Sequence, residues 1–168
     1  LIGSDPPAAR RMCYLMAGFF RKSLGLGQKE QIALSEEIYL AETYLAIEEV
    51  RFGARLRARF HVAEATLTFA VPPLVLQPLI ENAVHHGIAH LVEGGEVTIA
   101  AARVGEHLEL VIENPCDPDR PASRGAGVGL ANVRARIEAL FGHRARIDVE
   151  ALPESYRVRL LLPALPAA

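Results

Sequence analysis

Residues 79–87, LIENAVHHG, place four polar side chains that could do chemistry among apolar ones. On a helix, Asn82 and His86 lie four residues apart, as do Glu81 and His85, so these groups form two adjacent rows along one side. Burying such groups without partners would cost roughly 1–3 kcal/mol each. The pattern therefore predicts a helix whose polar side takes part in binding or catalysis. An ordinary solvent-exposed face is the alternative.

A glycine-rich stretch, RGAGVGL at residues 124–130, opens a later predicted helix. Gly125, Gly127 and Gly129 let backbone N–H groups approach an anion, and a helix N-terminus favours phosphate. The Rossmann pattern fails because a proline-rich loop, not a short turn, precedes the helix, and no Walker Gly-Lys-Ser/Thr occurs. The stretch alone indicates only an anion-binding turn.

Asn114 ends an apolar, strand-like run at residues 107–114. Asparagine at such a position is usually a turn former. Its carboxamide could instead pair with a purine edge, as it does with adenine in DNA.

Two helices are predicted ahead of these features. The first is capped by Ser4 or Asp5, contains a packed Cys13 and ends at LGLG, and the second begins at Ser35. The second helix carries two apolar stripes, which implies two packing partners. The stripes are Ile38, Ala41, Leu45 and Phe52, and Leu40, Tyr44 and Ile47. An ordinary helix pair and a dimerising hairpin that touches the next domain both fit.

From Leu56 onward the order is strand(s), a helix at about residues 74–90, a hairpin, a loop, a helix at about 128–141 and a second hairpin. This order predicts an α+β fold, a mostly antiparallel sheet with helices on one face. We expect a helical segment at residues 1–55 and a second domain at 56–168.

Composition narrows the class of protein. The 168 residues carry 18 Lys+Arg against 20 Asp+Glu, so no global field favours nucleic acid as the main partner. The two cysteines are far apart, which suits a reducing, cytoplasmic setting, and no apolar run approaches the roughly 20 residues of a membrane helix. Since the chain opens at Leu1 without methionine, a membrane segment could precede it.

Taken together, these motifs resemble the N, G1 and G2 boxes of the GHKL (Bergerat) ATP-binding fold, a two-layer α/β sandwich with a mixed sheet. LVLQPLIENAVHHG, residues 74–87, is similar to the LQPLvENAikHG motif of LytS/AlgZ-type sensor histidine kinases. Residues 36–56 resemble that family's second helix, and GAGVGLANVRARI, residues 125–137, resembles its G2 box. The resemblance implies a catalytic fragment that binds ATP and Mg²⁺.

The resemblance also implies residue roles. Asn82 would coordinate a Mg²⁺ that bridges the ATP phosphates, and Glu81 would bind water or orient its neighbours. His86 would lie near the phosphates or ribose. Asn114 would read adenine in the place usually held by aspartate, with Asp117 as the fallback.

On the phosphate side, the resemblance makes residues 115–126 the ATP lid. The amides around Gly127 and Gly129 would cradle phosphate, Asn132 would support the triphosphate, and Arg124 would reach the γ-phosphate. The expected nucleotide contacts on this side are His85, Arg124, Gly125, Gly127, Val128, Gly129, Leu130 and Asn132.

Three departures from the family pattern matter. His85 stands where the family usually has lysine, so nucleotide affinity should depend on pH. The G1 region, ENPCDPD, lacks the usual aspartate and glycines. No NPHFLFN-like motif is present, so the phospho-accepting histidine is expected upstream of Leu1.

The expected function is transfer of the ATP γ-phosphoryl group to that histidine for relay to a response regulator, in a full-length protein that is a homodimer. A degenerate module that dimerises without nucleotide is the alternative. A metal site at His85, His86 and His90 is a third hypothesis.

Overall fold

The computed structural model describes residues 5–117 and 128–167. The described helices are α1 (Pro6–Leu26), α2 (Leu34–Phe52), α3 (Gln77–Asn82) and α4 (Val128–Phe141). The described strands are β1 (Ile32–Ala33), β2 (Leu56–Val62), β3 (Ala70–Val71), β4 (Gly95–Val104), β5 (His107–Pro115), β6 (Arg146–Ala151) and β7 (Ser155–Pro163). The predicted α+β class is confirmed.

The main sheet has five strands in the order β2-β4-β5-β7-β6. Strand β2 runs parallel to β4, and the other three pairings are antiparallel. The sheet is therefore mixed and mostly antiparallel. Strands β1 and β3 form a separate two-stranded sheet, with Ile32 opposite Val71.

The two faces of the main sheet differ because side chains alternate along each strand. On β5, Leu108, Leu110 and Ile112 are buried in the core. The opposite face carries ion pairs, including Glu113 to Arg157 at 2.9 Å, and is open to solvent. Asn114 continues the inward-facing row as a polar residue at the end of an apolar series.

Helix α1 begins at a cap formed by Asp5, whose carboxylate accepts a hydrogen bond from the Ala8 N–H at 3.0 Å. The helix packs on α2 through Phe19, whose ring lies 6.1 Å from that of Tyr44. Cys13 is exposed, so the expectation that it is packed was wrong. The reason is that most of α1 lies open, with the side chain of Tyr14 81% exposed.

Helix α2 has two buried sides, as its two apolar stripes predict. Six of the seven stripe residues are buried, and Phe52 packs on the core from a partly buried position. One side of α2 faces α1, and the β1–β3 pairing fastens the start of α2 to the chain just before α3. The division into residues 1–55 and 56–168 stays a prediction.

The helix predicted at residues 74–90 is shorter and less regular in the structure. Pro72, Pro73 and a Leu74 with φ of +57° keep the chain non-helical up to Gln77. After α3, residues 83–87 form a wide π turn and residues 88–90 a tight 3₁₀ turn. Among the described residues, none of the helices has the length and apolar character needed to span a membrane.

Candidate functional site

The polar edge of α3 lies on the open side of this helix. Asn82 is half-buried, and Glu81, His85 and His86 are exposed. The Gln77 side-chain amide donates to Glu81 Oε1 at 2.8 Å, which orients that carboxylate along the helix. The apolar residues of the same stretch, Leu79, Ile80, Ala83 and Val84, are buried.

The π turn follows Asn82 directly and carries both adjacent histidines. Its wide geometry is marked by the Ile88 N–H, which donates to the carbonyls of Ala83 and Val84. Such turns occur mostly as single insertions in α-helices and are frequent at functional sites. The turn changes the direction in which His85 and His86 project from the helix, and the sequence pattern gives no signal for it.

Gly87 fixes the end of this turn to the end of β5. A Cβ built at Gly87 would lie 2.3 Å from Nδ2 of Asn114 and 2.9 Å from the carbonyl oxygen of Pro115. Only glycine permits this approach. Asn114 is 4% exposed, and its Nδ2 donates to the Pro115 carbonyl at 2.9 Å. The carboxamide predicted to read adenine therefore lies next to the helical turn that carries His86.

Asp117 occupies a different position from Asn114. It lies beyond the last residue of β5, next to Cys116, whose backbone N–H donates to the Glu154 carbonyl at 3.0 Å. Burial, with the nearby charge of Asp117, raises the pKa of the Cys116 thiol. Asn114 is thus the buried candidate against the helix layer, whereas Asp117 follows the strand toward the β6–β7 hairpin.

The start of α4 packs against the start of α3. A Cβ built at Gly129 would lie 3.1 Å from Cβ of Pro78. Pro78 and Asn82 are four residues apart on α3 and share one face, so Asn82 lies one turn farther along the face that touches α4. The two elements predicted to share a triphosphate are neighbours.

Helix α4 is oriented by a buried stripe that packs on the core: Leu130, Val133, Ile137 and Phe141. Asn132 is exposed and faces a cavity of about 360 Å³ between α4 and the start of α3. The other residues that line this cavity are Leu74, Val75, Pro78, Val133, Ala135 and Arg136.

The sequence reasoning missed Glu37, a buried carboxylate at the start of α2. It accepts hydrogen bonds from the backbone N–H groups of Leu74, at 2.5 Å, and Leu76, at 2.9 Å. Burial raises its pKa to about 7, against the lowering effect of these bonds and of the Arg136 charge. An acidic residue in a first helical turn is common, so nothing in the sequence distinguishes Glu37 from Glu36.

Several predicted residues have no described geometry. Arg124, Gly125 and Gly127 lie outside the described residues, as does most of the predicted lid. The backbone of Val128 begins α4, and its side chain is not described. Within residues 5–117 and 128–167, no group of three or more His, Cys, Asp or Glu side chains could hold a metal ion, which leaves the three-histidine hypothesis without support there.

The residue types in this arrangement suit a phosphorylated ligand. An amide at Asn82 and a carboxylate at Glu81 offer the oxygen ligands that Mg²⁺ prefers. The first N–H groups of a helix have no partner within the helix itself, and such a position favours phosphate. Asn114, beside Gly87 at the end of β5, offers a donor and an acceptor on one planar carboxamide group.

Comparison with known proteins identifies relatives over nearly the whole chain. The family model described as "Histidine kinase" matches residues 1–56. The sensor histidine kinase BtsS of Escherichia coli K12 is 35% identical over 164 residues, which is 97% of this chain and 29% of BtsS. The chain thus spans less than a third of the length of this curated relative.

Solved structures show the same fold. The catalytic domain of the histidine kinase ThkA aligns with a TM-score of 0.58 at 18% identity, over 82% of this chain and 97% of that domain. The histidine kinase domain of the blue-light activated kinase of Erythrobacter litoralis aligns with a TM-score of 0.60 at 17% identity, over 97% of this chain and 77% of that one. These similarities establish the fold.

Proposed function

We propose that the chain is the part of a sensor histidine kinase that binds Mg–ATP and delivers the γ-phosphoryl group, because 97% of the chain aligns with BtsS at 35% identity and the fold is that of the ThkA catalytic domain. Because the chain spans 29% of BtsS, the activity of the whole protein is part of this proposal. The fold is that of GHKL catalytic domains.

The observation that carries the proposal is the contact between Gly129 and Pro78. It brings the start of α4 to the face of α3 that presents Asn82. Farther along the chain, Gly87 at the end of the π turn contacts Asn114 at the end of β5. If the base of a nucleotide lay at Asn114 and its phosphates lay at the start of α4, Asn82 would lie between the base and the phosphates. This order of base, metal-binding group and phosphate is what an ATP site needs.

Asn82 would hold the Mg²⁺ through its carboxamide oxygen, with Glu81 binding a metal-bound water or orienting its neighbours. The donor set fits the ion, since Mg²⁺ takes oxygen ligands, keeps several waters and needs only one or two protein groups beside the phosphates. When bound, the ion would neutralise charge on the phosphates during transfer. His85 would lie near the same phosphates, and His86 near the phosphates or the ribose.

Asn114 would read the adenine edge, accepting from its exocyclic amine and donating to a ring nitrogen. The phosphates would lie on the amides of Gly127 and Gly129, with Arg124, Val128 and Leu130 nearby. Asn132 would support the triphosphate from the exposed side of α4. Phosphoryl transfer needs little covalent chemistry from a protein, so these residues act by positioning and by charge.

The acceptor would be a histidine on a segment that precedes Leu1, because no NPHFLFN-like motif occurs in the sequence. The phosphoryl group would pass from that histidine to an aspartate of a response regulator. We place the chain in the cytoplasm, where it would work within a homodimeric protein anchored in the cell membrane by segments outside residues 1–168.

Isothermal titration with a non-hydrolysable ATP analogue tests the proposal, with and without Mg²⁺. We expect saturable binding of one analogue per chain that weakens when the metal is chelated. Absence of binding at millimolar analogue would instead favour a degenerate module that acts only in dimerisation.

Labelling with γ-labelled ATP tests the position of the acceptor. Residues 1–168 alone should bind ATP without acid-labile labelling, and a longer chain that includes the preceding segment should become labelled. Strong labelling of one of the six histidines in this chain would contradict the assignment.

A further inference from the structure

The chain between β3 and α3, residues 72–76, is held by side chains from two other helices. From α2, the Glu37 carboxylate accepts the backbone N–H groups of Leu74 and Leu76. From α4, the Arg136 guanidinium donates to the carbonyl of Pro73. This connecting segment leads directly into the helix that carries Asn82.

The start of α3 has no side-chain cap of its own, and Glu37 binds the backbone that leads into it. The first N–H groups of a helix have no partner within it and are usually capped by a nearby Ser, Thr, Asp or Asn side chain. Here the N-cap residue is Leu76, which makes no side-chain cap, and Pro78 follows in the first turn. From α2, Glu37 binds the N–H groups of Leu76 and of Leu74 before it, so it anchors the backbone that enters α3 without capping the first N–H groups of the helix itself.

The contact is rigid because it is buried on all sides. Glu37 is 1% exposed, and Val75 and Leu76 are fully buried. A carboxylate in this environment cannot exchange its bonds for water without a large cost, so the contact ties the connecting segment to α2. A Cβ built at Gly27, next to the end of α1, would lie 3.6 Å from the Leu74 side chain, so the helix pair meets the segment at a second point.

We propose that Glu37 is a positioning residue for the nucleotide site: it fastens the start of α3 to α2 and so fixes the distance from Asn82 to the start of α4. This inference rests on the proposed function. It makes α2 the element through which a displacement of the helix pair would change metal and phosphate binding.

The test compares Glu37→Gln and Glu37→Ala with Glu48→Gln. Glu48 is a matched control because it is also a buried glutamate on α2, 6% exposed, but pairs with Arg51 and not with the connecting segment. Titrations use the Mg²⁺ complex of a non-hydrolysable ATP analogue and, separately, ADP with the metal chelated. The second ligand reports adenine binding at Asn114 without the contribution of Asn82.

If Glu37 positions Asn82, Glu37→Ala weakens the Mg²⁺-dependent binding about tenfold, in line with losses of 10–100-fold when support of a metal ligand is removed. Glu37→Gln retains one acceptor and falls between Glu37→Ala and wild type. Glu48→Gln matches wild type, and metal-free ADP binding is unchanged in all variants. Unchanged Mg²⁺-dependent binding in Glu37→Ala, or an equal loss for metal-free ADP, would overturn the inference.

Hydrogen exchange of the same proteins keeps the two proposals separate. In Glu37→Gln, amides from Leu74 to Asn82 should exchange faster than in Glu48→Gln, while those of the α2 core should not. Equal exchange overturns the positioning role even if nucleotide binds. Failure of the wild-type chain to bind any nucleotide overturns the proposed function, whatever the exchange shows.

Discussion

Gly87 lies directly against the side chain of Asn114, so close that a Cβ at Gly87 would come within 2.3 Å of Nδ2 of Asn114. The contact joins the π turn that follows Asn82 to the inner edge of the sheet. A buried carboxamide and a helix that presents polar groups are thereby held at a fixed separation.

Replacing Gly87 with alanine should therefore disturb both stability and binding. The new methyl group would overlap Nδ2 of Asn114 and the Pro115 carbonyl, and overpacking of this kind costs about 1–3 kcal/mol in the free energy of unfolding. Chemical denaturation should show this loss. Titration should show weaker ATP-analogue binding, because Asn114 must move.

Gly18→Ala is the matched control for that substitution. Gly18 lies within α1, and a Cβ there meets no atom of the described structure within 4 Å. It should stabilise the protein by about 0.4–1 kcal/mol through helix propensity and leave binding unchanged. If Gly87→Ala changed stability and ATP-analogue binding no more than Gly18→Ala does, Gly87 would not be in close contact with Asn114.

Adenine recognition should depend on Asn114 and not on Asp117. Asn114→Ala removes a buried donor and acceptor, which should weaken ATP-analogue binding about tenfold, within the range for a lost hydrogen-bond partner. Asp117→Ala should change affinity little. The reverse order in titrations of the two variants would assign the base to Asp117.

Stability should vary with pH through Glu37. Burial, opposed by the Leu76 and Leu74 amides and by the Arg136 charge, raises its pKa from 4.5 to about 7. Between these values the folded chain holds a proton that the unfolded chain has released. The contribution of Glu37 to the free energy of unfolding is therefore greatest below pH 4.5 and falls as pH rises to about 7.

Denaturation of wild type and Glu37→Gln at a series of pH values measures this contribution. The stability of wild type relative to the variant should decrease as pH rises through that window, because the variant has no titrating group at this position. A constant difference between the two proteins would show that the carboxyl group is not desolvated as the structure indicates.

Nucleotide affinity should rise when lysine, the residue that the family usually has at this position, replaces His85. Lysine carries a full positive charge at neutral pH, which would attract the phosphates. Since position 85 is exposed, the gain should be modest, roughly two- to fivefold. Equal affinities for wild type and His85→Lys in titrations at neutral pH would remove position 85 from the site.

Much of the fold follows from local sequence pattern. Alternation along residues 107–114 predicts β5 and its inward face, and the apolar spacing after Val128 predicts α4. These elements depend on neighbours close in sequence. The α3 region does not, because its π turn accompanies the close approach of Gly87 to Asn114, which no local pattern encodes.

The contacts of Glu37 and the exposure of Cys13 could not be predicted from the sequence, for a related reason. Glu37 looks like any acidic residue in a first helical turn, and its partners are backbone groups far along the chain. Cys13 lies in an apolar pattern that predicts packing, but α1 packs on α2 and leaves most of its other sides open. The G2 residues Arg124, Gly125 and Gly127 lie outside the described residues, so their roles stay predictions.

The central claim is that the side chain of Asn82 holds a divalent cation against a triphosphate at the start of α4. The most direct measurement is Mg²⁺-dependent binding of a non-hydrolysable ATP analogue to wild type and Asn82→Ala, made by isothermal titration at several metal concentrations. We expect the variant to lose about 100-fold in affinity at saturating metal, at least as much as loss of a supporting residue costs, and to bind independently of Mg²⁺. Wild-type affinity and metal dependence in Asn82→Ala would contradict the account.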